Sequence, residues 1–309
     1  MTVRKIMKDT TAGRRDVFFE SRTGKRKSIN EDCFGESVSS GGDLDFLYVS
    51  DGMGGHLAGE VASKMTCDAL ASAFSEAVFD DREMMKLFIE NAVIKADLDI
   101  AGDSASNADH SRMGATLVLA ALDFKTNTAL VCNVGDSRCY FYGEDGIRQI
   151  TKDHSVKQQL IDRGFSPEEI PLAAHRNAVT RAMGFLCTEK GRPHIDFYEV
   201  PFRENDVFML CSDGLSSVLS DEILENKLSK CGSDSLANIC GDLADMADQA
   251  GSSDDITVAL VRILKAETSE ETADENENTE GSTEKALETE GSKTGTGTDG
   301  DAETCEDRP

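Results

Sequence analysis

No run in this 309-residue chain approaches the roughly 18 apolar residues that a membrane-spanning helix needs. The basic N-terminus, MTVRKIMKDTTAGRR, also lacks the apolar core of a secretory leader. A cytoplasmic protein with no membrane partner is expected. Nine cysteines are scattered without one C-x-x-C pair, which disfavours a zinc ribbon. Five of them lie in apolar runs, where a reduced thiol acts as a small hydrophobe, so no disulfide framework is expected. Positive charge is scarce as well. Lys and Arg number 32 against 58 Asp and Glu, a net of −26, and such a surface repels nucleic acid phosphates. No solenoid repeat and no D-x-D-x-D-G-x5-E calcium loop occurs.

Hydrophobic residues make up 39% of the chain, enough for one α/β domain of ordinary size. They stop near Lys265. Residues 266–309 hold 15 Asp and Glu against 3 Lys and Arg and almost nothing apolar, so this tail cannot offset its own ordering entropy and is expected to be disordered. Its 12 Ser and Thr lie among carboxylates, a setting open to acidophilic kinases; a purely solubilising tail is the plainer reading. The expected organisation is therefore an N-terminal extension 1–15, a catalytic domain 16–265 and the acidic tail 266–309.

Strand-like runs fall at Asp16–Ser21, Asp45–Ser50, Leu117–Leu122, Thr128–Val134, Cys139–Tyr142, Ile147–Ile150, Val207–Cys211 and Ile256–Ile263. Helical spacing marks Gly59–Phe79, Glu83–Ile100, Ser220–Ser229 and Ser235–Ala250. The turn DFKTN and the Asp145-Gly146 dipeptide predict antiparallel hairpins, which argues against a doubly wound parallel sheet.

One pattern recurs. An apolar run ends in an Asp/Gly corner at Asp51, at Asp136 and at Asp213, and Asp254-Asp255 stands just before the last strand. Any single one reads as a turn. Together, and with the Asn30-Glu31-Asp32 triplet, they suggest carboxylates converging from several strand ends, which repel unless a hard, oxygen-seeking cation such as Mg2+ or Mn2+ lies between them.

The words around these corners are more specific: NEDCF, VSDGMGGHLAGEVAS, GATLVLA, NVGDSRCY, TKDHSVKQQLIDRG, HRNAVTRAMG, CSDGLSSVLSDEI and SDDITVALV. From about Asp16 to Ile263 the chain resembles the protein phosphatase 2C family, the metal-dependent protein phosphatases, most closely its bacterial branch. The resemblance implies an α+β fold, an α-β-β-α four-layer sandwich of two antiparallel sheets flanked by helices, with two Mn2+ or Mg2+ ions in a cleft at one end. It implies Asp51 as the bridge between the ions, the Gly52 carbonyl on the first, Asp213 and Asp254 on the second, Glu31 beside the second through water, and Asp32 orienting the attacking water. Asp136, with Asp213, matches the carboxylates of a weaker third site. A flap at about 155–183 borders the cleft, with His175, Arg176 and Asn177 as contacts to a phosphoprotein or to the flap's own base. The implied substrates are phosphoserine and phosphothreonine proteins, a serine/threonine kinase and its targets among them, and a monomer is expected. A cysteine nucleophile is not.

Two positions depart from the family pattern. Where an arginine usually grips the substrate phosphate, this chain has Lys27, with Arg26 adjacent; lysine keeps the charge and loses the fork. Lys27 is the favoured clamp. Where animal members have a histidine, this chain has Met53, and His56 nearby is a weaker candidate for proton donor than a metal-bound water. His154 is expected to position the helix that begins at Ser155. The rival readings are a catalytically weak scaffold on the same fold and a phosphatase of a partner-switching pathway.

Overall fold

Strands that are apolar on both faces belong in the middle of a layered molecule, and several here are of that kind. The structure is a computed structural model that describes residues 2–7, 14–40, 42–54, 58–75, 77, 79, 81–166, 168–170, 178–186 and 194–265. The strands are β1 (Thr2–Met7), β2 (Arg15–Arg22), β3 (Asp32–Val38), β4 (Leu44–Met53), β5 (Gly114–Ala115), β6 (Leu117–Asp123), β7 (Thr128–Val134), β8 (Arg138–Gly143), β9 (Gly146–Gln149), β10 (Asp196–Pro201), β11 (Val207–Cys211) and β12 (Ile256–Ile263). The helices are α1 (Ala58–Phe74), α2 (Arg82–Ser106), α3 (Val156–Asp162), α4 (Asp213–Ser216), α5 (Asp221–Leu228) and α6 (Leu236–Gln249).

They build two antiparallel sheets, ordered β1-β2-β12-β11-β8-β9 and β10-β7-β6-β4-β3, with β5 pairing to β4 outside the second path. Alternation along each central strand assigns its two faces. On β6, Leu117, Leu119 and Ala121 pack toward α1 and α2, while Val118, Ala120 and Leu122 pack between the sheets. On β12, Val258 and Leu260 pack toward α5 and α6, while Ala259, Val261 and Ile263 face the other sheet. The result is helices, sheet, sheet, helices, as the resemblance implied. No helix among the described residues is long and apolar enough to cross a membrane.

The differences from the sequence reading have local causes. Helix α1 stops at Phe74 rather than Phe79, because Phe79 turns back to pack edge-on against Phe88 with ring centroids 4.9 Å apart. Helix α2 runs on to Ser106, six residues past Ile100. The basic lead contributes β1, paired to β2 from Thr2↔Arg22 to Met7↔Val17. Strand β3 went unread because DCFGESV mixes polar and apolar residues with no continuous apolar run, and all of it is half-buried. Its Gly35 lies opposite Tyr48, and a Cβ there would come within 2.6 Å of that ring. The Asp145-Gly146 hairpin forms as expected, Gly143 pairing Gly146. Residues 266–309 lie outside the described residues, as do His56, His175, Arg176 and Asn177.

Candidate metal centre

The Asp/Gly corners meet because both sheets present strand ends at the same edge of the sandwich. Asp32 opens β3 and is the register partner of Asp51 near the end of β4. Asp213 follows β11 and begins α4; Asp254 and Asp255 precede β12, which pairs with β11. Two side chains join the sheets here. Ser212 Oγ donates to Asp32 Oδ2 at 2.8 Å and accepts from the Thr257 N–H at 3.0 Å. Asp255, buried, accepts from the Gly24 N–H and the Glu31 N–H, each at 2.8 Å, and so laces the 23–31 loop, which crosses between the sheets, to the start of β12.

Asp51 is the centre of the group. Its backbone N–H donates to Thr116 Oγ1 at 2.9 Å, and that hydroxyl pairs with Ser137 Oγ at 2.7 Å. Its carboxyl is held well above the usual range, first by burial and then by the charges of Asp32, Asp213, Asp254 and Asp136. Burial and the charge of Asp254 push Asp213 up to about 6, against the opposing pull of Lys27. Burial, with Asp255 and Asp213, pushes Asp32 up to about 7 although Thr257 and Ser212 hydrogen-bond to it. Burial, with Asp213 and Asp153, pushes Asp136 up to about 7. Five carboxyls named from sequence thus occupy one electrostatic neighbourhood.

The glycines make room. A Cβ on Gly52 would lie 2.0 Å from the Gly59 carbonyl oxygen, and the Gly52 N–H donates to the Glu31 carbonyl at 3.0 Å. Gly59, in the first turn of α1, leaves space for Glu31, whose Oε1 would stand 2.4 Å from a Cβ there. Gly135, before Asp136, has φ +112°. Its N–H donates to His154 Nδ1 at 3.1 Å, and the Asp196 carboxylate accepts from His154 Nε2 at 3.1 Å. Ser155 caps α3 itself, through the Gln158 N–H at 3.2 Å; His154 instead ties the Gly135-Asp136 corner to the flap root.

Lys27 lies inside the group. Its Nζ is 2.5 Å from Asp254 Oδ1, 2.9 Å from Glu31 Oε2 and 3.1 Å from Asp255 Oδ2, and these partners hold its ammonium well above the usual lysine range despite partial burial. Arg26 is exposed. Spread around this ammonium, no group of three or more His, Cys, Asp or Glu side chains among the described residues is gathered tightly enough to hold an ion as it stands. The donor set nonetheless suits a hard divalent cation. Every candidate ligand is an oxygen, and Asp32 Oδ1 and Asp213 Oδ1 are buried without a hydrogen-bond partner among the described residues, which is costly unless something electropositive meets them.

Cys132 and Arg138 have the Cys-x5-Arg spacing of cysteine-based phosphatases. Burial in the helix-facing core removes Cys132 from that chemistry by pushing its thiol far up, and Arg138 holds Asp153 through two hydrogen bonds of 2.8 and 2.7 Å.

With a carboxylate cluster at the joined end of an antiparallel sandwich, the comparisons decide the matter: the sequence profile of protein phosphatase 2C matches residues 22–265. The chain belongs to the protein phosphatase 2C family. It is 32% identical to the serine/threonine phosphatase stp of Listeria innocua over 249 residues, covering 79% of this chain and 94% of that one. The solved serine/threonine phosphatase of S. agalactiae superposes with TM-score 0.74 at 27% identity, over 81% of this chain and 99% of that one. The catalytic domain of the phosphatase PstP, solved in complex with two manganese ions, superposes with TM-score 0.66 at 30% identity, over 82% of this chain and 99% of that one. Metal dependence belongs to the 2C family.

Acidity should act on this 2C phosphatase with an unusual sign. Carboxyls whose folded values lie at about 6 to 7 and whose unfolded values lie near 4 bind protons more tightly when folded. Their contribution to stability therefore falls as pH rises through that window. Burial lowers His154 below its ordinary value, so its protonation when unfolded opposes the carboxyls only near pH 6.5 and by less than their combined effect. In chelator, the melting temperature should rise between about pH 8 and about pH 6.5, and saturating Mn2+ should remove most of that rise because the cation takes the proton's role. Thermal melts at the two pH values, with and without Mn2+, check this; a fall on acidification in chelator would contradict it.

Proposed function

We propose that this chain hydrolyses phosphoserine and phosphothreonine esters of proteins by in-line attack of a water on phosphorus, with no phosphoenzyme. When bound, two divalent cations, Mn2+ or Mg2+, supply Lewis acidity and an activated water. Asp51, central among the carboxylates, would be shared by both; the Gly52 carbonyl would serve the first, Asp213 and Asp254 would serve the second, and Glu31 would stand beside the second. Asp136, with Asp213, offers a weaker third position. Asp32 aligns the water. Ser212 holds its Oδ2 and leaves Oδ1 to accept the water's hydrogen, which fixes the direction of the nucleophile's lone pair. Lys27 counters the phosphate charge as a point charge rather than a fork. The catalytic unit is 16–265, with the flap at about 155–183 rooted by Val156 N–H to the Ala178 carbonyl and by Ala115 to Met183. Its substrates are phosphoproteins, including a serine/threonine kinase and that kinase's targets.

The observation that carries this reading is Asp51, on which four carboxylates converge from four separate strand ends. A phosphoserine peptide should be turned over with Mn2+, not in chelator, and again after Mn2+ is restored. Asp213→Asn should lower kcat/KM about a hundredfold or more. Chelator-insensitive turnover, or an Asp213→Asn enzyme at full rate, would remove the reading.

A further inference from the structure

Lys27 is seated as a cation is seated. Its ammonium has three donor hydrogens arranged radially, and three carboxylate oxygens surround it: Asp254 Oδ1 at 2.5 Å, Glu31 Oε2 at 2.9 Å and Asp255 Oδ2 at 3.1 Å. One wall of the seat is fixed, because Asp255 is buried and already accepts two backbone N–H groups from the 23–31 loop. The other two walls, Glu31 and Asp254, are carboxylates assigned above to the second cation. The stem of Lys27 starts inside the same loop, where its backbone N–H closes a turn onto the Gly24 carbonyl at 3.0 Å. That turn fixes the root of the side chain and leaves its four carbons free to swing.

We infer that Lys27 is an internal competitor of the second divalent cation: its ammonium occupies Glu31 and Asp254 until the cation takes them, and the displaced ammonium then turns to the substrate phosphate. The inference rests on the metal reading above and deepens it into regulation of the same site. A compact ammonium and a divalent cation draw on the same oxygens, so the two cannot be satisfied at once. A planar guanidinium spreads its donors in one plane and fits a three-walled seat poorly, so lysine at this position sets a higher threshold for metal loading. It also couples loading to phosphate. Metal entry releases a charge able to grip the substrate, and by reciprocity bound phosphate must tighten the metal.

Calorimetric titration of the full chain with Mn2+ tests this without reference to turnover. Lys27→Met keeps the length of the stem and removes the charge; it should bind Mn2+ at the second site about tenfold more tightly than the wild type, within the usual range of site coupling. The Mn2+-loaded Lys27→Met protein should also bind inorganic phosphate more weakly than the loaded wild type. Lys27→Gln serves if the methionine variant does not fold. Lys25→Met removes an exposed charge two residues away, one that engages Asp248 rather than the site, and should change Mn2+ affinity by less than about twofold if proximity alone is not the cause. Unchanged or weaker Mn2+ binding in Lys27→Met, or an equal gain in Lys25→Met, would overturn the competition. Asp254→Asn separates the two levels: if it leaves Mn2+ affinity intact, the assignment of Asp254 to the metal fails, whatever Lys27 does.

Discussion

Asp51→Asn should abolish turnover and make the protein melt later. The two effects have one origin. Asp51 has the charges of Asp32, Asp213, Asp254 and Asp136 around it in a buried setting, so its own charge opposes folding wherever no cation compensates it. Asparagine keeps the shape, and the backbone N–H to Thr116 Oγ1 is untouched. Relieving the repulsion by about 1 kcal/mol would raise the melting point in chelator by roughly 2–4 °C for a domain of this size. The same change removes the carboxylate assigned to both cations. Losing their charge stabilisation, worth several kcal/mol, lowers kcat/KM on the order of a thousandfold. Gains in stability that coincide with lost activity are the expected sign of a strained functional site. Melting curves in chelator and phosphopeptide kinetics on one preparation decide it; an asparagine variant that melts earlier, or keeps a tenth of the activity, would contradict the arrangement.

Asp255→Ala should be the most destabilising single change at the site. The side chain is 1% exposed, accepts from the Gly24 and Glu31 N–H groups and faces Lys27 Nζ. Truncation leaves two donors and an ammonium short of a partner inside the structure. Breaking a buried, hydrogen-bonded charge in this way costs about 3–5 kcal/mol, or roughly ten degrees in melting temperature. Asp255→Asn retains one acceptor oxygen and should fall between. Because the 23–31 loop carries Lys27 and Glu31, the alanine variant should also lose Mn2+ affinity in calorimetry even where it remains folded. Wild-type melting in Asp255→Ala would show that the loop is held by something else.

Asp255 is also the residue that shows what the sequence could convey. Asp254 and Asp255 are adjacent and chemically alike, and only the corner pattern and the family words favour the first. Which of two neighbouring carboxylates points toward a cation and which toward backbone N–H groups depends on the path of a loop more than two hundred residues earlier, and no local signal encodes that. The central strands were legible because their apolar alternation is imposed by burial on both faces. Strand β3 was not, since Asp32, Gly35, Glu36 and Ser37 break up its apolar pattern, although Phe34 stacks on Phe19 between the sheets. Ser212 and Thr116 were missed for a related reason. A serine and a threonine at a strand end are common, and their importance lies in partners far along the chain. The spacing of Lys27 before Asp32 was visible, but its seat among three carboxylates was not, because two of them come from the last strand's approach.

The hydrogen bond from Ser212 to Asp32 spans 180 residues and that from Gly24 to Asp255 spans 231. Contacts of such separation have large loop-closure costs and form after local hairpins and helices are in place. The centre is therefore completed only when the first and last parts of the domain have closed on each other, late on the folding path. A cation that needs the finished centre has little to bind in the transition state, so it leaves the folding rate nearly unchanged and slows unfolding. The ion then governs the lifetime of the native domain, and a cell short of it would lose this phosphatase through faster opening rather than through failed folding.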